Sequence, residues 1–251
     1  MSDAVGVAWH ADLNEAPVGA SSQGRDLPLA GGLGGAYGAF AAAFRGPRER
    51  FWQRMTATGA ALGALALVAE PSLRRTRVRP RDVALGLTAA AGLYAVFRIG
   101  DRMARRIMPS GAEEIDDVYA LRSLRPRNEI AARLALVIGP AEELFWRGFV
   151  LRRLQHRLGR WRGAAAAAFV YGGAHVVTGN ATLVGAATTA GAYWSALASA
   201  GMPMGALVVS HVAWDVWIFL LQPTVPPSAE GAPRHESETG SAATTARTSS
   251  P

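Results

Sequence analysis

GAAAAAFVYGGAHVVTGNATLVGAATTAGAYWSALASAGMPMGALVVSHVAW, residues 163–214, contains no Asp, Glu, Lys or Arg, and extending the run to Ala229 adds only Asp215. A water-soluble domain rarely goes so far without a charge. About 20 apolar residues span the bilayer hydrocarbon. The run therefore has room for three crossings: Gly163–Thr178, Ala181–Ala200 and Met204–Leu221. Their short connections suit antiparallel helices packed side by side. The small residues that dominate 181–201 suit close helix–helix contact in lipid.

Working outward, Ile130–Leu154 supplies a fourth apolar helix, and Met55–Ala69 and Val83–Phe97 two more upstream. The pattern predicts an all-α polytopic membrane helix bundle with about six transmembrane helices, four of them forming a core. Residues 1–50 are Gly/Ala/Ser-rich and read as mostly disordered, although Leu29–Phe44 could form an interfacial helix. Residues 51–129 hold the accessory transmembrane segments and a polar loop or surface helix over 109–129. Residues 130–222 are the core, and 223–251 a Pro/Ser/Thr/Glu-rich tail whose composition favours disorder. Arginine clusters lie before, between and after the first two spans, so the positive-inside rule does not orient them.

Half of the 251 residues are hydrophobic and the net charge is +7, with every basic residue an Arg. Arg without Lys in an Ala/Gly-rich chain reads as codon bias of a GC-rich genome, so nucleic acid is not an expected partner. The absence of Cys excludes disulfides and thiolate metal sites. Asp3, Asp12 and Glu15 stand where a secretory signal needs a basic region.

Against this apolar background, Gly139-Pro140-Ala141-Glu142-Glu143-Leu144-Phe145-Trp146-Arg147 is anomalous. Ionisable groups at membrane depth are expensive unless they pair or face a cavity, and so mark functional sites. Glu143 and Arg147 are spaced for pairing on one helix face, while Glu142 points about 100° away. Pro140 suits a first helical position or a kink, which would set both carboxylates near newly started backbone amides. The alternative is a structural Glu–Arg bridge with a spare carboxylate. His175 stands alone in an uncharged segment, as a hydrogen-bonded core histidine would. His211 and Asp215 are one turn apart, spaced for a carboxylate to orient an imidazole or for a buried polar pair to join two helices.

Depth argues that these groups meet. At 1.5 Å per residue, Glu142 lies about 15 Å from Arg152, His175 roughly 18 Å from Gly163 and His211 roughly 10 Å from Met204. All fit one layer of a core about 30 Å thick. Such a set supplies a base for water and donors for an oxyanion, or nitrogen and oxygen ligands for a divalent metal such as zinc through Glu142, His175 and His211. No His-Glu-x-x-His helix, Gly-x-Ser-x-Gly elbow or P-loop is present.

Glu142-Glu143-x-x-x-Arg147, Tyr171-x-x-x-His175 and His211-x-x-x-Asp215, in this order on successive helices, resemble the CAAX-protease and bacteriocin-processing (CPBP, or Abi) family, related to the type II CAAX prenyl endopeptidases. The resemblance covers about residues 130–222. Tyr171 stands where the family usually has Phe, and Asp215 where it has Asn or Asp. It implies an intramembrane endopeptidase of the bacterial plasma membrane that acts on a membrane-associated protein or peptide. Glu142 would activate water with His175 beside it. His211 and Asp215 would stabilise the oxyanion or help hold a metal, and Glu143 with Arg147 would brace the site. The rival readings are a catalytically silent binding or immunity protein on the same fold, and a transporter. The second predicts repeated broken helices, which the sequence lacks.

Overall fold

A computed structural model describes residues 22–107 and 118–221. These residues hold no strand and form seven helices: α1 (Ser22–Arg45), α2 (Phe51–Ala69), α3 (Pro80–Ile107), α4 (residues 127–158), α5 (Arg160–Gly173), α6 (Ala181–Ser199) and α7 (Met204–Leu221). Local chemistry fixes the breaks. Pro126 precedes the first residue of α4, where its missing N–H costs nothing. Gly159, at φ 79°, ends α4 in a conformation that other residues adopt only with strain. The Asn180 side chain accepts from the Leu183 amide at 2.6 Å and caps α6.

The helices alternate in direction. At one end, Arg153 pairs with Glu70 at 2.8 Å, while Gln155 and Arg160 bond Ser199 at 2.8 and 2.6 Å. At the opposite end, Trp52 donates to the Leu121 carbonyl at 3.0 Å and Arg45 to the Val177 carbonyl at 2.9 Å. α5 and α6 form a closely packed hairpin, as their short connection predicts. α7 departs from that expectation: it packs chiefly along α3, not along its sequence neighbour α6. The segment expected to be accessory thus belongs to the bundle.

Two further expectations are corrected. Ser22–Arg45 is a helix, which takes in the Leu29–Phe44 helix that the sequence allowed and replaces the disorder expected around it. Its spaced Leu29, Ala36, Phe40 and Ala43 are buried against a core that includes Trp146, Phe149 and Tyr171, and that apolar face overrides the helix-weakening glycines. Pro140 lies in mid-helix, since α4 begins at Arg127. The helix accommodates it behind a wide π-helical turn at Leu134–Ile138, and a second follows at Leu144–Leu151. The two carboxylates are therefore not at a helix start, and backbone amides do not account for them. The expected disorder of residues 1–21 and 223–251 falls outside the described residues.

Pro80–Gly100 and Met204–Leu221 are long and apolar enough to cross a membrane. Val83, Leu85, Leu87, Val96 and Ile99 of α3 are exposed, an outward apolar face that matches acyl chains better than water. The other expected spans are diluted by Arg54 in α2, by the ionisable cluster in α4 and by small and hydroxylated residues in α6. α5, with 14 residues, reaches only about 21 Å.

Candidate active site

Glu142, Glu143, Arg147, Tyr171, His175 and His211 are all buried, and they converge from α4, α5 and α7. Burial makes each partner count, because an unpaired ion in such surroundings is costly. Glu143 takes two: Arg147 Nη1 donates to its Oε1 at 2.9 Å, and His211 Nδ1 lies 2.7 Å from the same oxygen. The Arg147 guanidinium is sandwiched between the rings of Tyr171 and Trp194, at 4.7 and 5.0 Å from their centroids. Its Nε and Nη2 make no hydrogen bond among the described residues, so these π faces are the nearby stabilising surfaces.

Glu142 is set apart from that pair, as the 100° offset predicts. Tyr171 donates its hydroxyl to Glu142 Oε2 at 3.0 Å. His211 Nε2 stands 4.0 Å from the same oxygen and 3.5 Å from Asp215 Oδ2. The first gap is too long for a hydrogen bond and suits a bridging water. The sequence had assigned the orienting of His211 to Asp215. In the structure the short contact is from Glu143 to Nδ1, and Asp215 faces the other nitrogen. A carboxylate there makes Nδ1 the protonated nitrogen and aims Nε2 at Glu142.

The His175 side chain uses Nδ1 on the Tyr171 carbonyl at 3.1 Å. A carbonyl only accepts, so Nδ1 carries the hydrogen and Nε2 is left for the cavity. The rings of Phe40, Tyr171 and Phe44 stand around the imidazole with centroids at 5.2, 5.2 and 6.3 Å. Gly172 and Gly173, one residue removed from His175, both stand at close helix contacts. A Cβ on Gly172 would collide with Thr188 of α6, and one on Gly173 would lie 3.0 Å from the Tyr37 hydroxyl of α1. Each glycine admits one neighbouring helix to the histidine's turn.

Glu142, Tyr171, His175, His211 and Asp215 all line one cavity of about 270 Å³, whose remaining wall is largely apolar and includes Phe51, Trp52, Met55, Phe97 and Phe219. Glu143 and Arg147 lie behind it. A second cavity of about 280 Å³ shares Phe44, Phe51, Val118, Leu121 and Leu183 with the first and reaches Thr178, Gly179 and Asn180 at the Arg45–Val177 end. The two cavities adjoin at these shared residues. Among the described residues no group of three or more His, Asp and Glu side chains is arranged to hold a metal ion.

Sequence reasoning missed Trp194. Its ring stacks on His211 at 4.1 Å and 22°, and its Nε1 donates to Ser210 Oγ at 3.0 Å. A large aromatic amid the small residues of 181–201 was the available signal.

Residues 129–217 match the family model described as "Type II CAAX prenyl endopeptidase Rce1-like". No curated protein and no solved structure matches the chain.

Proposed function

The chain belongs, through residues 129–217, to the type II CAAX prenyl endopeptidase (Rce1-like) family, and from that premise we propose that it is a glutamate-dependent intramembrane endopeptidase. It sits in the bacterial plasma membrane as a bundle of about six spans around a four-helix core, and cleaves a membrane-associated protein or peptide.

One observation carries the reading: a carboxylate and two imidazoles from three separate chain segments share a single cavity inside an apolar bundle. Tyr171 occupies Glu142 Oε2, which leaves Oε1 to take a proton from water. The hydroxide so formed adds to the scissile carbonyl carbon. With carboxylates facing both of its nitrogens, His211 acts as an imidazolium, and its Nε2–H donates to the developing oxyanion, a role that rewards a fixed donor in a dry site. His175 Nε2 is a second acceptor that orients the water. The proton on Glu142 then passes to the departing amine nitrogen as the C–N bond breaks. The hydrophobic wall of Phe51, Trp52 and Met55 suits apolar side chains beside that bond, so the substrate class is a lipid-embedded or lipid-anchored peptide.

The test compares full-length wild type, Glu142→Gln and His175→Ala, purified in detergent, on a library of membrane-segment peptides analysed by mass spectrometry. Cleavage by wild type and loss in both variants is the expected result. Equal cleavage by all three, or none by wild type, overturns the catalytic reading.

A further inference from the structure

We propose that α1, which lies outside the family-matched segment, is the positioning element of His175, acting through Tyr37, Phe40 and Arg45. The inference rests on the catalytic reading of His175.

His175 stands at a weak point of the bundle. α5 ends at Gly173, and the chain passes through a single tight turn, Val176–Thr178, before α6 begins. Gly172 and Gly173, separated from the histidine by Ala174 alone, weaken the helix end that carries it. Within α5 and its following turn, its imidazole has the Tyr171 carbonyl as its only hydrogen-bond partner. Such a side chain would sample several rotamers, whereas water activation needs a fixed one.

α1 supplies the missing restraints, on both sides of the residue and above it. Tyr37 donates its hydroxyl to the Val170 carbonyl at 2.9 Å, five residues before His175. Arg45 Nε donates to the Val177 carbonyl at 2.9 Å, two residues after it. Phe40, fully buried, places its ring edge-on to the imidazole at 5.2 Å. At 100° per residue Tyr37, Phe40 and Arg45 fall within an arc of about 140°, so one side of α1 carries all three. Gly173 is what lets that face approach, since a Cβ there would meet the Tyr37 oxygen at 3.0 Å. Of these contacts, only Phe40 is buried deeply enough to matter for global stability. The other two are local ties on the backbone that carries His175.

The experiment uses full-length protein in detergent micelles. Its variants are Tyr37→Phe, Arg45→Gln and the conservative Arg45→Lys, each with His175→Ala as reference. The substrate is the peptide best cleaved by wild type. Tyr37→Phe and Arg45→Gln should each lower kcat by about three- to tenfold, the weight of one hydrogen bond. KM and the melting temperature should stay at the wild-type values, and Arg45→Lys should recover part of the loss. Hydrogen exchange followed by mass spectrometry should show faster exchange confined to residues 170–178, a readout that does not require turnover. Wild-type kcat in both hydrogen-bond variants, or unchanged exchange over 170–178, overturns the role of α1 while leaving the catalytic reading intact. Full activity of His175→Ala would instead overturn the catalytic reading itself. Phe40→Leu is a supporting variant, and its interpretation requires an unchanged melting temperature.

Discussion

Arg147→Ala tests whether the paired charges behind the cavity hold the site together. The Arg147 and Glu143 side chains are 1 % and 0 % exposed and meet at 2.9 Å. Removing one partner of a buried ion pair costs about 3–5 kcal/mol, because the remaining charge stays in a poor solvent. Here Glu143 keeps a second contact, His211 Nδ1 at 2.7 Å, so the lower end of that range applies. For a chain of this size about 3 kcal/mol corresponds to a fall in melting temperature of roughly 6–12 °C. Glu143→Leu/Arg147→Leu removes both charges and replaces them with apolar volume, which is often nearly neutral for stability. The double variant should therefore melt above either single one, a coupling that a double-mutant cycle isolates. Its activity should still be lost, since His211 loses its anchor. The assay is thermal unfolding of purified protein in one detergent, followed by tryptophan emission. A single variant that melts with wild type, or a double variant that loses the sum of the singles, refutes the argument.

Three other outcomes are expected. Glu143→Gln should reduce kcat more than Asp215→Asn, because the contact at 2.7 Å on Nδ1 orients His211 and the one at 3.5 Å on Nε2 does not; steady-state kinetics on the two purified variants decides the order. Gly172→Ala should destabilise by about 1–3 kcal/mol through overpacking, since its new methyl meets Thr188, and the melting temperature records it. Dialysis against a chelator tests the metal separately: cleavage that falls with chelation and returns with zinc assigns an ion to Glu142, His175 and His211, and cleavage that survives leaves water activation to Glu142 without one.

The parts of the site that follow helix periodicity were legible before any coordinates. Glu143 with Arg147 and His211 with Asp215 lie four residues apart, and period alone puts each pair on one face. The meeting of Glu142, His175 and His211 followed from depth, because helices of similar pitch in one slab bring residues of similar depth together. What period and depth do not carry is azimuth, the rotation of each helix about its own axis. That rotation turned His211 toward Glu143 and gave Asp215 the lesser contact. Pro140 was misread because a proline inside a helix normally breaks it, and a π-helical turn that absorbs the missing bond leaves no mark in the composition. The packing of α1 into the bundle, beyond the interfacial Leu29–Phe44 helix that the sequence allowed, was hidden for a related reason. Its glycines lower helix propensity, and the burial of Leu29, Ala36 and Phe40 that outweighs this depends on partners more than a hundred residues away, in α4 and α5.

The alternating direction of the helices has a consequence for topology. Gly32, early in α1, lies beside Leu65 and Phe149 near the Glu70–Arg153 end, whereas Phe219 at the close of α7 meets Trp52 and accepts from Arg122 at the other. The start of α1 and the close of α7 thus lie at opposite ends of the bundle. Arginine tallies could not have revealed this, since both faces carry them. Reporter enzymes fused ahead of Ser22 and beyond Leu221 distinguish the two counts: seven crossings place them in different compartments, and six, with α1 not crossing, place them in the same one.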